Sequence, residues 1–292
     1  MPIHLQRPSA HATRLAADPT YAAIHRAAAG AESALAADVA RALTALRADV
    51  DRAALAAALA RGDHVAAVAA LGLDRLYQAL AQAIHRQLSP VLRTLHTQAF
   101  AERAAVRLPT DLLTRLSGLI GRDVAAITET TRQAILRAIV DVLREGGNVD
   151  ELAERLAERV GLTPRDATAL ARYEAGLRAR GVAERQLRRQ VADYRERLIR
   201  QRAQTIARTE TMRVANLARR LRWEQASTRG QLDPARARRV WVATRDDRCC
   251  AACSAMDGQV AAIAGPYLGP DGFIDGPPLH PNCRCTEELE QT

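Results

Sequence analysis

Residues 249–285 read CCAACSAMDGQVAAIAGPYLGPDGFIDGPPLHPNCRC and hold every cysteine of a 292-residue chain: Cys249, Cys250, Cys253, Cys283 and Cys285. Five thiols confined to one short stretch are not core filler. The odd number speaks against a disulfide framework, as does an N-terminus (MPIHLQRPSAHATR) with no apolar run ahead of a cleavage site. The expectation is a protein made in a cytoplasm that uses these thiols to bind metal.

The spacing supports that chemistry. Cys250-x2-Cys253 and His280-x2-Cys283 are two pairs of one pattern. Zn²⁺ takes four tetrahedral N or S ligands, and a pair two residues apart in a tight turn supplies two at a workable angle. Two facing knuckles give three thiolates and one imidazole. Replacing His280 with Cys285 gives an all-thiolate site, and the spacing leaves that choice open. Cys249 points away from Cys250 in an extended stretch and is left out of the set. A closed site has no position for water, so the expected ion is structural, and Asp257 or Glu287 would be a base only on paper. The stretch is dense in Gly and Pro and poor in apolar side chains. Metal binding, worth about 10–16 kcal/mol in such sites, would offset the missing core.

Upstream the character is different. The chain has 61 Ala, only nine aromatics, and 42 basic residues that are all Arg. Ala is the best helix former but buries little surface, so long, closely packed helices are expected. No uncharged apolar run reaches the roughly 18 residues a membrane helix needs. Apolar residues recur at helical spacing through 20–107, as in Ala36, Val39, Leu43, Leu46 and Val50, then Leu76, Leu80, Ile84 and Leu88. Breaks are predicted at Gly30, at Arg61-Gly62-Asp63 and at Ser89-Pro90, with a boundary at Pro109. A helix from about Arg122 to Arg144 ends at Gly146-Gly147. Asn148-Val-Asp-Glu151 opens a short helix to Val160, and Thr163-Pro164 opens another to about Arg180. One long helix is predicted over Ala183–Gln225, and the first convincing strand over Val240–Thr244. His4, His11, His25, His64, His85 and His96 are scattered, as surface side chains on helices would be. The fold class is therefore mainly α, with long Ala/Arg-rich helices and a small C-terminal α+β zinc-binding module. Three regions follow: 1–108 helical, 109–230 with the long Arg-rich helix, and 231–292 with the Cys/His module.

Charge is uneven. Arg185–Arg239 holds sixteen Arg against five acids, a net of +11 in a chain whose total is +9. Such a segment fits a polyanion or an acidic protein surface. With only Tyr194 and Trp223 for stacking, any nucleic-acid contact is to phosphate and blind to sequence. The candidates for contact with a nucleic-acid or protein partner are Arg188, Arg189, Arg195, Arg202, Arg219, Arg220 and Arg222. Arg208-Thr-Glu210 reads as an ion pair and not as an acid/base couple. No Gly-rich phosphate loop and no Gly-x-Ser-x-Gly is present.

Five motifs follow one another in order: Ile206-Ala-Arg-Thr-Glu-Thr211, Trp241-Val-Ala-Thr-Arg-Asp-Asp-Arg248, Cys250-x2-Cys253, Met256-Asp-Gly258 and Pro277-Pro-Leu-His-Pro-Asn-Cys-Arg-Cys285. Over about residues 145–287 this set resembles the head morphogenesis domain of the phage Mu F-like minor head proteins, related to the SPP1 minor head protein. Cys249 departs from the pattern, where relatives tend to have a small polar residue. The resemblance implies a non-enzymatic minor capsid protein of a tailed phage, prophage or gene-transfer particle, present in few copies near the portal vertex. It would assist head assembly and DNA packaging or ejection. Implied partners are the portal protein, capsid or scaffolding proteins and packaged DNA, with no membrane. The rival expectation is a DNA-handling or toxin-like enzyme built on the same zinc module. A zinc-ribbon transcription factor is disfavoured, because no short recognition helix follows the ligand pairs.

Overall fold

Asp51 and Asp63 begin two short helices in the same way: each carboxylate accepts a hydrogen bond from the backbone N–H three residues on, Ala54 and Ala66, at 2.9 Å. These helices belong to a computed structural model that describes residues 19–99, 118, 121–122, 124–134, 153, 156–244, 246 and 248–291. The helices of 19–99 are α1 (Pro19–Ala48), α2 (Arg52–Ala60), α3 (His64–Ala69) and α4 (Leu73–Ala99). The predicted break at Arg61-Gly62-Asp63 is present, with Gly62 at φ 67°. The other two predicted breaks are corrected by the structure. Gly30 lies inside α1 and Pro90 inside α4. Gly30 costs only about 1 kcal/mol and sits among Ala27, Ala28, Ala29 and Ala31. Pro90 is held in a helix whose Leu76, Leu80, Ile84, Leu88 and Leu92 are all buried. The Pro109 boundary, most of the helix expected over 122–144, the Gly146-Gly147 stop and the Asn148–Glu151 cap lie outside the described residues.

Downstream, α5 (Pro164–Ala179) starts on the predicted cap. Thr163 Oγ1 accepts from the Asp166 N–H at 3.2 Å and pairs with the Asp166 carboxylate at 2.7 Å. Then comes α6 (Glu184–Thr228), 45 residues long and three residues longer than expected at its C-terminal end. The strands follow: β1 (Ala237–Val242), then a short helix α7 (Ala251–Met256), β2 (Val260–Ala262), β3 (Tyr267–Gly269), β4 (Gly272–Ile274) and β5 (Thr286–Gln291).

The chain forms two compact units. One comprises Leu35–His85 and Ser117–Gln204. Here the buried side chains of Leu35, Val39, Leu43, Leu46, Leu55, Leu71, Leu76, Leu80 and Ile84 make a helical core. Two arginines of α6 complete it. Arg195 donates to the carbonyls of Glu158 (2.8 Å) and Val160 (2.9 Å). Arg202, one heptad on, donates to the carbonyls of Gly161 (2.6 Å) and Ile127 (3.1 Å) and to Thr131 Oγ1 (2.9 Å). The carbonyls of Glu158, Val160 and Gly161 lie at the end of the helical turn 156–159, where they need donors and favour a cation. Burial lowers the pKa of both guanidiniums, that of Arg202 to about 10.

The other unit comprises Met1–Ala34, Arg86–Leu116 and Thr205–Thr292. Its sheet has the order β2-β1-β5, antiparallel throughout, with Val240 opposite both Val260 and Glu288 and Trp241 opposite Glu287. β3 and β4 form a separate hairpin, which turns Tyr267 into the core and leaves Leu268 and Phe273 exposed. The core of this region is small: Trp241, Ala243, Met256, Ala261 and Tyr267, with three cysteines completing it. Among the described residues, no helix is long and apolar enough to cross a membrane.

Candidate metal centre

The first knuckle is built at the N-terminus of α7. Cys250 is its cap residue, in extended conformation, and its Sγ accepts from the Cys253 N–H at 3.3 Å. That places Cys253 one turn into the helix with its sulfur on the same side. The second knuckle is a turn closed by the Cys283 N–H donating to the His280 carbonyl at 3.0 Å. Asn282 makes this turn at φ 62°, the sole non-glycine with positive φ among the described residues. A staple joins the two knuckles: the Arg284 guanidinium grips both oxygens of Asp246, and Thr244 Oγ1 donates to the Arg284 carbonyl at 3.1 Å. Arg284 lies between Cys283 and Cys285 in sequence, so the staple sets the second knuckle against the loop leading into the first.

The resulting geometry gathers sulfur and imidazole donors close together. His280 Nε2 lies 3.1 Å from Cys250 Sγ and 3.0 Å from Cys253 Sγ, and Cys253 Sγ lies 3.6 Å from Cys283 Sγ. Two sulfurs on one tetrahedral zinc are about 3.7 Å apart, given Zn–S bonds of about 2.3 Å. The donors fall into two triads that share Cys253, one with Cys250 and His280 and one with Cys283 and Cys285. Both expected candidates for the fourth ligand, His280 and Cys285, therefore adjoin the same sulfur. His280 Nδ1 lies 2.8 Å from the Pro281 carbonyl. A carbonyl can only accept, so Nδ1 bears the proton and Nε2 presents its lone pair to the sulfurs, as a metal-binding imidazole must. A Cys/His cluster able to hold a metal ion is thus present.

Protonation follows from the surroundings. The Cys253 N–H lowers the Cys250 thiol. The Cys285 S–H, helped by the backbone N–H groups of Cys285 and Leu279, brings Cys283 down to about 5. Burial, and then the charge on Cys283, push Cys253 up to about 12. The hydrogen bond to Cys283 holds Cys285 well above the ordinary thiol range. Burial works to lower His280, but the Pro281 carbonyl and Cys250 outweigh it and the net direction is up. A divalent cation bound here would displace the protons that Cys253 and Cys285 hold. Cys249 stays out of both triads. Its thiol is raised by burial and lies 3.7 Å from the Cys250 carbonyl.

The remaining sequence candidates separate by burial. Arg195, Arg202 and Arg219 are buried and donate inside the chain. That places them inside the fold and not on the expected nucleic-acid or protein contact surface: the charge count could not tell a solvated guanidinium from a buried one. Arg220 is mostly buried beside Glu287, and Arg222 is half-buried. Arg188 and Arg189 are exposed, with Arg188 3.4 Å from Glu184. Arg208 pairs with Glu32 at 3.1 Å and Glu210 with Arg213 at 3.5 Å, so the Arg-Thr-Glu run makes two ion pairs with other residues. The two paper bases are structural: Asp257 accepts from the Ala243 N–H at 2.7 Å, and Glu287 is fully buried against Arg239. His85 is exposed, whereas His4 and His11 and the side chains of His25, His64 and His96 lie outside the described residues.

Sequence reading missed the face of α6 that meets this site. Asn282 donates from its backbone N to Thr209 Oγ1 and from Nδ2 to Thr205 Oγ1, both at 3.1 Å. Asn216 Nδ2 donates to the Cys285 carbonyl at 3.3 Å, and Asn216 Oδ1 accepts from Thr286 Oγ1 at 2.8 Å. The signal was available as polar residues at 205, 209 and 216, spaced along one face of a helix.

A family model described as phage Mu protein F like protein matches residues 177–288. The similarity to the Mu F-like family is confined to this segment. The match takes in the whole Cys/His cluster and all of α6, and it begins later than the position near 145 expected from the motifs. It spans less than half of the chain. No curated protein and no solved structure matches the chain.

Proposed function

We propose that this protein is a minor capsid protein of a tailed-phage, prophage or gene-transfer-particle head, associated with the portal and assisting head assembly and DNA packaging or ejection. The observation behind this reading is the Mu F-like match over 177–288. In it the cluster holds a structural zinc through Cys250, Cys253 and Cys283, with His280 or Cys285 as fourth ligand. When bound, the ion supplies cross-linking between two knuckles and no chemistry of its own. The chain's residues do the rest: Cys250 and Cys253 present sulfur from the start of α7, Pro281 fixes the imidazole tautomer, and the Asp246–Arg284 staple aligns the knuckles.

The test is compositional and functional. Purified particles should contain the protein in few copies, and it should co-purify with the portal protein encoded beside it. Particles that assemble and fill normally without it, and never contain it, would end this reading. Purified reduced protein should contain one zinc per chain, and chelation should loosen 237–291 to protease. Metal analysis without stoichiometric zinc would end that part. Nuclease and transferase assays with and without metal are expected to show no turnover.

A further inference from the structure

The second knuckle depends on a left-handed Asn282, and the groups that hold it there belong to α6. An L-residue with a Cβ gives up free energy at positive φ, although Asn tolerates it better than most. At φ 62°, Asn282 turns the chain so that His280 and Cys283 face the same sulfur. Its two donors end on two threonine hydroxyls one helical turn apart. Thr209 Oγ1 is oriented to accept, because it spends its own proton on the Thr205 carbonyl at 2.7 Å. Thr209 is buried, so its hydroxyl keeps a fixed place next to the turn. The same helix face goes on to hold the Cys285 carbonyl through Asn216.

We infer that Thr205 and Thr209 are positioning residues for the metal site: α6 sets the His280–Cys283 knuckle for metal through Asn282. This rests on the metal-binding reading above. Outer-shell partners of metal ligands typically contribute 10- to 100-fold in affinity. Neither threonine touches a ligand atom, so their effect should appear in affinity and not in the kind of site formed.

The experiment uses the full chain and cobalt(II) as probe, followed by the absorption bands of tetrahedral thiolate coordination. The Thr205→Val/Thr209→Val variant keeps side-chain shape and loses both acceptors. Its cobalt affinity should fall at least about tenfold with band positions unchanged. Thr205→Ser/Thr209→Ser keeps both hydroxyls and should bind as the parent does. Adding Asn282→Gly to the double Val variant should recover most of the loss, since glycine reaches positive φ freely. Far-UV ellipticity on the same samples checks that α6 is intact. Parent affinity in the double Val variant, or no recovery on adding Asn282→Gly, overturns the inference. A parent chain that binds no cobalt overturns the metal reading itself and this inference with it.

Discussion

Glu287 is a single carboxylate, 0% exposed, between two guanidiniums. Arg239 meets it directly and also donates to the carbonyls of Ala262 (3.2 Å), Asp275 (2.9 Å) and Gly265, with its guanidinium over the Tyr267 ring at 5.0 Å. Arg220 of α6 lies 3.8 Å away on the other oxygen. A Cβ at Gly276 would stand 2.6 Å from Arg220 Nη2 and 2.9 Å from Glu287 Oε1, so any side chain there would push on both charged groups. Removing one charge from such a site leaves the others buried without compensation, which costs about 3–5 kcal/mol. Glu287→Gln should therefore lower stability by that amount, read as a shift in denaturant midpoint at pH 7. A shift under 1 kcal/mol would mean the arginines find water. Asp246 presents the opposite case, an accessible carboxylate held by Arg284. Arg284, helped by the Arg248 N–H, brings its pKa down to about 2. A depressed carboxylate stabilises the fold above its unfolded value of about 3.9 and loses that contribution as pH falls toward 2. An NMR titration of Asp246 should show a midpoint near 2, and Arg284→Gln should return it to the usual carboxylate range. An unchanged midpoint in that variant would exclude the staple as cause.

Helix ends show which features of the elements were legible in the sequence. The Thr163 cap was read because a short side chain reaching the N–H three residues on is a local event that needs no tertiary partner; Asp63 was read only as part of a break, and Asp51, which caps α2 in the same way, was not singled out. The two knuckles were legible for the same reason. Gly30 and Pro90 were misread because tertiary packing of a long apolar face outweighs a local penalty. The Arg239–Glu287–Arg220 cluster and the clasp on Asn282 join residues 48 to 77 positions apart, and nothing local marks them. Gly161 combines both kinds of information. It stops the helical turn 156–159 at φ 86°, close to the expected end at Val160, but an added Cβ would also lie 2.8 Å from the Leu43 carbonyl and 3.2 Å from Ile199 Cδ1. Gly181 ends α5 at φ 68° with nothing within 4 Å. Gly181→Ala should thus cost about 1 kcal/mol of backbone strain, and Gly161→Ala clearly more, because backbone must also move. Equal losses in thermal or denaturant unfolding would show that Leu43 and its surroundings yield easily.

Across the whole molecule, a net charge of +9 is a statement about partners only after the internal arginines are set aside. Arg195, Arg202, Arg219 and Arg239 are all buried, so their charges are committed to carbonyls, hydroxyls and Glu287 and give no contact to a polyanion. Sequence could register the excess but not this division, since helix caps and solvated faces use the same residue. What remains accessible on α6 includes Arg188, Arg189, Arg197 and Arg200, interleaved with Glu184, Asp193 and Glu196, and Arg200 is 3.2 Å from Glu196. Interleaved acids make any contact with duplex DNA weak and nonspecific. Each phosphate neutralised contributes about 0.9 to the slope of log K against log salt. If Arg188 and Arg189 make such contacts, Arg188→Gln/Arg189→Gln should reduce that slope by about 2 and leave the unfolding midpoint unchanged. Arg195→Gln should do the reverse, lowering stability through the lost Glu158 and Val160 caps while leaving the salt slope as it was. Measured on one duplex by fluorescence anisotropy between low and moderate salt, the two variants separate surface charge from structural charge. A slope that responds to Arg195→Gln and not to the exposed pair would place the contact elsewhere on the protein.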